Sequence, residues 1–167
     1  MLNLSIALPI KVQNGGLFIS RGVGRHPARR LRSWEVIFVE KGTLTIQEEE
    51  HIFHVPAGDS LLLWPGRRHV GVKDFPADLK FYWLHFEGNM PVQPHPLLTQ
   101  LAIPQQTTSH DPQYLISLFR QFLNEQEKIQ RNASLEFILL LILQHISLSA
   151  QNEEPKDEGG TALAWKA

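Results

Sequence analysis

Between residues 16 and 88, short runs of apolar and β-branched residues alternate with polar ones at a period of two, and turn residues close each run. This pattern predicts strands rather than helices. Lys41-Gly42 separates two runs as a hairpin turn would, and Pro65-Gly66 ends another. Several short strands in a row favour a sandwich or a barrel. The predicted strands are Leu17–Arg21, Trp34–Glu40, Thr43–Glu49, His51–His54, Ser60–Trp64, Val70–Lys73 and Leu79–Glu87.

The pattern becomes helical after residue 90. The proline-rich stretch Met90–Gln106 ends the predicted sheet, and Asp111-Pro112 predicts a helix start, with the helix covering about residues 112–129. A second helix is predicted from near Asn132 and contains the apolar run Phe137–Leu143. That run is far shorter than the roughly 20 residues of a membrane span. It therefore predicts a helix covered on all sides by the sheet, the first helix and a partner subunit.

Composition narrows the class of protein further. The chain has 167 residues, a formal net charge of −1 and no cysteine, which excludes a disulfide scaffold and thiolate metal ligands. It carries no strong basic stripe of the kind that DNA-binding domains show. No secretory signal is recognisable at the amino terminus, so we expect a cytoplasmic protein. Residues 151–160 have linker composition, and the helical pattern that follows them predicts the start of a further domain.

One spacing resembles the two signature motifs of the cupins, small β-barrels in which a Glu and a late His bind a metal beside an earlier His-x-His. It is Glu35-x6-Gly42 followed by Gly58-x6-Pro65-Gly66-x2-His69. Where the His-x-His belongs, this chain has Ala28-Arg29-Arg30-Leu31, and His26 lies too far upstream for that motif. Guanidinium groups oppose a bound cation. We therefore expect no metal and no cofactor.

Nearly the whole chain is similar to the amino-terminal sensor of AraC-type transcription regulators. The similarity is carried by the stretches RHPARRLRSWEVIFVEKGTLTIQ, VPAGDSLLLWPGRRH and LKFYWLHFEG, followed by two helices and a linker. It implies a mainly β fold with C-terminal helices, in which a metal-free, cupin-like (jelly-roll) β-barrel precedes a two-helix element. The expected boundaries are an N-terminal arm over 1–15, an effector-binding barrel over 16–106, a helical dimerisation element over 107–150, and a linker with the start of a further domain over 151–167.

The partners that the similarity implies are a small-molecule effector, in many family members a sugar, and a second copy of the chain. DNA would be bound only through a C-terminal domain absent from this sequence, and no membrane is involved. The expected dimer face is Leu139, Leu140, Leu143 and Ile146 on the second helix. The alternative is that both helices pack flat on the barrel with 139–143 wholly internal.

Alternation indicates which side chains face the barrel interior. If Glu35 points inward, Ile37 and Val39 share its face. On the last strand the inward set is either Phe81, Trp83, His85 and Glu87 or the residues between them. The resemblance favours the first set, because Trp83 matches a position whose indole stacks on a sugar in the family's arabinose sensor.

The predicted effector site combines an indole face with polar side chains, which suits a hydroxylated ring. Its residues are Trp83, His85, Glu35 and His69, and an acidic effector would need Arg29 or Arg30. Each also has a plainer interpretation: Trp83 and His85 as core residues, His69 as a turn residue, and Glu35 paired with an arginine.

Two rival functions remain at the level of sequence. One is a small metal-independent cupin enzyme acting on a sugar or a keto acid, with Glu35, His69 and His85 as acid and base groups. The other is a structural dimerisation module whose barrel is filled by side chains. Our prediction is a sensor and not an enzyme, because an acidic linker has little use in a complete enzyme.

Overall fold

The structure is a computed structural model that describes residues 1–3, 8–88, 100–129 and 132–153. Within these residues two antiparallel sheets precede two helices. The elements in chain order are β1 (Ile10–Ile19), β2 (Arg29–Arg30), β3 (Trp34–Lys41), β4 (Thr43–Glu48), β5 (His51–Pro56), β6 (Asp59–Leu63), β7 (Arg68–Gly71), β8 (Lys80–Gly88), β9 (Gln106–Thr108), α1 (Pro112–Gln126) and α2 (Ser134–Glu153).

The strands form two sheets that face each other. The first has the order β1-β8-β3-β6-β9 and the second the order β2-β7-β4-β5. The predicted fold class, a cupin-like β structure followed by two helices, is confirmed. Two short strands were not predicted: β2 has only two residues, and β9 begins at Gln106, the last residue of the proline-rich stretch that was expected to end the sheet.

Strand β1 begins at Ile10, seven residues before the predicted strand start at Leu17, so residues 10–15 of the expected N-terminal arm lie in the first sheet. The sequence hides this strand because Gly15-Gly16 in its centre has turn composition. The structure shows why both residues are glycine. A Cβ on Gly15 would lie 2.7 Å from the Phe122 ring and 2.9 Å from the backbone oxygen of Trp83, and one on Gly16 would lie 2.7 Å from the Trp83 indole. The glycines therefore mark a close approach and not a turn.

Apolar side chains bury both faces of the first sheet. One face packs against the second sheet through Ile37, Val39 and Phe81, which join Leu44, Ile46 and Leu61 in the barrel interior. The opposite face carries Val36, Phe38, Tyr82, Leu84 and Phe86 and packs against the helices. Alternation on β3 and β8 thus divides the side chains as predicted, except that Glu87 is exposed at the strand end, where it accepts a hydrogen bond from Gln13.

Helix α1 begins at the predicted place, because the Asp111 side chain accepts a hydrogen bond from the backbone N–H of Tyr114 and Pro112 follows the cap. It ends at Gln126, three residues before the expected end. Its buried stripe includes Phe119, which stacks on Phe38 and Tyr82 of the sheet. The helix is therefore held flat against the outer face of the barrel.

Helix α2 runs to Glu153, into the segment that was expected to be a linker; residues 154–167 lie outside the described residues. Its window Ser134–Asn152 has a mean hydropathy of 1.4, so by length and composition alone this helix could cross a membrane. More than half of that window is buried inside the protein. This degree of burial is typical of a helix in a protein core.

The predicted dimer face is corrected by this packing. Leu139, Leu143 and Ile146 have exposed fractions of 0%, 4% and 2%, because they join the cluster between the helices and the sheet. Leu140 is half-buried. The apolar side chains that α2 leaves exposed are instead Phe137, Leu141 and Leu148.

Candidate functional site

A cavity of about 180 Å³ opens between the two sheets. Its walls combine aromatic rings with ionisable groups, and it is lined by Phe18, His26, Pro27, Arg29, Glu35, Phe75, Phe81 and Trp83. The volume is below the roughly 300 Å³ at which pockets for drug-sized ligands begin. The cavity is thus suited to a small molecule of about one ring.

Strand register brings His85 beside Glu35, which lines this cavity. The two residues are direct cross-strand partners on β3 and β8, and His85 Nε2 lies 3.9 Å from Glu35 Oε1. His69, on β7 of the opposite sheet, places its Nε2 3.9 Å from Glu35 Oε2. The carboxylate therefore lies between two imidazoles from different sheets. Glu35, His69 and His85 are all buried.

His26 completes the group, although its spacing from Glu35 had predicted that it lies too far upstream. One donor atom each from His26, Glu35 and His69 lies within 4.8 Å of the others, and the His26 and His69 rings are 5.2 Å apart. The segment before β2 folds back along β7, where the backbone N–H of Gly71 donates to the His26 carbonyl. A Cβ on Gly71 would lie 2.6 Å from the His26 backbone nitrogen. A glycine inside a predicted strand was the available signal for this close approach.

Burial controls the charge state of these groups. It raises the pKa of Glu35 to about 7, although the nearby Arg29 charge acts in the opposite direction. Burial also lowers the pKa of His69 to about 4, helped by the charges of His26, Arg29 and His85. The pKa values of His26 and His85 are lowered by the same desolvation. At neutral pH the three imidazoles are therefore uncharged, and each keeps a nitrogen lone pair.

Several polar atoms of this cluster have no hydrogen-bond partner. Within the described chain they are Glu35 Oε2 and both ring nitrogens of His69, all of them buried. Both 3.9 Å distances to Glu35 are too long for direct hydrogen bonds. Buried polar groups are nearly always paired, so these atoms are available to a bound species. These donors and acceptors can hold ligand hydroxyl groups, water or a cation.

The remaining predicted site residues divide into two groups. Trp83 is half-buried and lines the cavity, and Arg29 also lines it, opposite His69 in the register of β2 and β7. Arg30 does not: its Nη1 donates to the Gly66 carbonyl and lies 3.7 Å from Glu49 on the protein surface. Adjacent residues of a strand point to opposite faces, so only one of the two arginines can face the cavity.

Three of the lining residues were not expected from the sequence. Phe18 is on β1, Phe75 lies in the loop after β7, and Pro27 follows His26. The centre of the Phe18 ring lies 4.6 Å from that of Phe75 and 4.8 Å from that of Phe81. No local pattern marks them, because strand and loop positions far apart in sequence make this aromatic wall.

Together, these features define a class of protein, a small cupin-like barrel with a polar-floored, aromatic-walled cavity and helices on its outer face. The family model of the AraC-like ligand binding domain matches residues 20–143. The chain belongs to this family. It is also 38% identical over 77 residues to the uncharacterised HTH-type transcriptional regulator YisR of Bacillus subtilis, a match that covers 42% of this chain and 27% of that protein.

Solved structures with some likeness to the fold include two bacterial proteins. The protein YhaK of Escherichia coli is 18% identical with a TM-score of 0.42, over 56% of this chain and 43% of that one. A mutant of the oxalate decarboxylase OxdC of Bacillus subtilis is 12% identical with a TM-score of 0.40, over 52% of this chain and 23% of that one.

Proposed function

We propose that this chain is the effector-sensing part of an AraC-type transcription regulator and that a sugar of one ring binds in the barrel cavity. DNA would be bound by another domain, outside the sequence, which the name of the HTH-type relative supports. The proposal places the protein in the cytoplasm, with no membrane contact. The observation that carries it is the cavity itself, which pairs the half-buried Trp83 with the polar groups of Glu35 and His26.

The chemistry of the cavity walls supports a hydroxylated ring. The C–H patches of such a ring pack well against the aromatic faces of Trp83, Phe75 and Phe81. Its hydroxyl groups can both donate and accept, which matches the unpaired Glu35 oxygen and the neutral imidazoles. A cavity of about 180 Å³ favours a monosaccharide over a disaccharide. A uronate would in addition pair with Arg29, the arginine that lines the cavity.

Strand β1 offers a route from the cavity to the helices. On its inner side Gly16 lies directly against the Trp83 indole. Next to it, the backbone N–H and carbonyl of Gly15 are both bonded by the Gln126 side chain of α1. Further along, the Val12 N–H donates to Glu136 of α2. A ligand that shifts Trp83 would therefore act on a strand that both helices hold, which couples binding to the helical element if the two states differ in affinity.

We place dimerisation on the exposed side of α2, with a second copy of the chain as the partner. Phe137, Leu141 and Leu148 are spaced by four and seven residues, so they form one stripe on the helix. Each has an exposed fraction above 40%. Twofold homodimers are the commonest soluble oligomers, and an apolar stripe along a helix is self-complementary across a twofold axis.

The effector proposal is tested by titrating the purified chain with pentoses, hexoses and uronates, using tryptophan fluorescence and calorimetry. Trp83→Ala should weaken binding of the active sugar about five-fold or more, the loss typical of an aromatic contact. Trp64→Ala is the matched control, because Trp64 packs on Trp34 and Arg67 away from the cavity. Equal binding by both variants would place the site elsewhere, and no binding by any sugar in the screen would refute the sugar assignment.

The rival function, a metal-independent enzyme, rests on the same buried group. Glu35, with its pKa raised to about 7, and His69 at 3.9 Å form an acid–base pair in a cavity. The two functions are distinguished by the fate of the ligand. A sensor returns the sugar unchanged after prolonged incubation, whereas turnover that is lost in Glu35→Gln would establish catalysis.

A further inference from the structure

We infer that His26, Glu35 and His69 form a binding site for a divalent transition-metal ion, with His85 as a fourth ligand. This site goes beyond the proposed sensing function, because it needs neither the sugar nor the helices. It replaces the expectation of a metal-free barrel, which rested on the arginines at 29 and 30 and on the exclusion of His26 by spacing.

The donor set is the first argument. Three imidazole nitrogens and a carboxylate are the ligands that Zn²⁺ and related ions prefer. The donor atoms of His26, Glu35 and His69 lie within 4.8 Å of one another, from a loop and both sheets. Donors around a tetrahedral zinc lie about 3.4 Å apart, so a separation of 4.8 Å would have to shorten by about 1.4 Å when the ion binds.

The hydrogen bonds around the imidazoles are the second argument. His26 Nδ1 donates to the Pro27 carbonyl at 3.0 Å, which leaves Nε2 with the free lone pair. His85 Nδ1 lies 3.3 Å from Ser33 Oγ, which leaves its Nε2 facing Glu35. Metal-binding histidines usually have their second nitrogen fixed in this manner. Two of the three rings are therefore oriented as ligands before an ion arrives.

The unpaired atoms are the third argument. His69 is 1% exposed and Glu35 is 3% exposed, and yet both nitrogens of His69 and Oε2 of Glu35 lack a partner. An ion bonded to Glu35 and His69 would satisfy the carboxylate and one of these nitrogens together. Apolar side chains could not bond to the Glu35 oxygen or to the His69 nitrogens, and the described residues around the cluster provide no other partner for these atoms.

Arg29 is the opposing feature. Its positive charge acts on Glu35, His69 and His85, so it weakens cation binding through repulsion. This makes a directional prediction that a merely structural role for the cluster does not make. Arg29→Gln should bind the ion more tightly than the wild-type chain.

The test uses the full chain, stripped with a chelator and titrated with Zn²⁺ against a chromophoric competitor, and with Co²⁺ followed by its visible absorption. We expect one ion per chain, with affinity reduced about 100-fold or more in His26→Gln and His69→Gln. His85→Gln should lower the affinity less, because the donor atoms of His26, Glu35 and His69 lie close together without His85. His51→Gln is the matched control, since His51 is exposed on β5, and it should bind as the wild type does.

Circular dichroism of each variant separates loss of ligand from loss of fold. Stoichiometric binding that is unchanged in folded His26→Gln and His69→Gln, or no binding by the stripped wild-type chain, would overturn the site. Sugar titration of the chelator-treated chain keeps the two proposals apart. A sugar that binds without the ion leaves the sensing function standing even if the metal site fails.

Discussion

The side chain of Gln126 hydrogen-bonds both backbone groups of Gly15. The Gly15 N–H donates to Oε1 at 2.8 Å, and Nε2 donates to the Gly15 carbonyl at 3.0 Å. The last turn of α1 is thereby attached to the middle of an edge strand, one residue from the glycine that lies against Trp83. This pair connects the strand beside the cavity wall to α1, and the connection can be tested directly.

Gln126→Ala should lower the free energy of unfolding by about 1–2 kcal/mol, because it removes two hydrogen bonds and leaves two backbone groups without their partner. Gln121→Ala on the same helix is the control, since its side chain is exposed. Urea denaturation of the three proteins gives the comparison. A loss no larger in Gln126→Ala than in Gln121→Ala would show that α1 is held to β1 by apolar packing alone.

The two glycines of β1 should respond differently to alanine. At Gly15 the new methyl group meets a backbone oxygen and the buried Phe122 ring, neither of which can move freely, so we expect a loss of about 1–3 kcal/mol. At Gly16 the three nearest atoms all belong to the indole of half-buried Trp83, which lines the cavity and has room to shift. Gly16→Ala should therefore cost less stability and change tryptophan fluorescence and sugar affinity more.

Gly88→Ala is the control for both glycine variants, because its Cβ would be in ordinary contact at 3.8 Å. Its stability should stay within about 0.5 kcal/mol of the wild type. Equal stability loss in Gly15→Ala and Gly16→Ala, with unchanged tryptophan fluorescence, would show that the Trp83 indole does not shift to accommodate the new methyl group.

The dimer proposal predicts a difference between two leucines of α2. Leu141→Glu places a charge in the exposed apolar stripe, so the chain should stay folded and become monomeric. Leu139→Glu places the charge in the core between helices and sheet, where an unpaired carboxylate is too costly, so the chain should unfold. Sedimentation equilibrium and circular dichroism measure the two outcomes. A wild-type mass near 19.1 kDa at micromolar concentration would refute dimerisation of this chain.

Stability should fall on acidification partly through His145. Burial lowers the pKa of His145, and stacked His110 lowers it further, whereas Asp111 acts in the opposite direction. Since the native pKa is below the unfolded value of about 6.5, the unfolded state binds the proton more readily. The contribution of neutral His145 to the free energy of unfolding is complete above about pH 6.5, and it is lost as the pH falls towards the native pKa.

His145→Gln should therefore reduce the slope of unfolding free energy against pH below 6.5, by at most about 1.4 kcal/mol per pH unit for one proton. The measurement is a series of urea denaturations with chelator present, so that no metal contributes. An identical slope in the wild-type chain and in His145→Gln would show that His145 does not resist protonation in the fold.

Local sequence patterns predicted the main strands, their faces and both helices, but not β2 or β9. Period-two alternation predicted that Glu35, Ile37 and Val39 share one side of β3, because backbone geometry sends successive side chains to opposite faces. The Asp111-Pro112 cap was equally local, since a helix start depends on neighbouring residues. The resemblance over the same residues was sufficient for the fold and the family.

Contacts between residues far apart in the sequence could not be predicted from local patterns. His26 joins Glu35 and His69 because a loop folds along β7 where Gly71 has no side chain, and no spacing rule contains that contact. Leu139 and Leu143 are internal because two helices and a sheet together surround them, while Leu141 between them stays exposed. Local patterns fix what a segment can form. Which of its faces is covered depends on segments far along the chain, and only the packed fold brings those into contact.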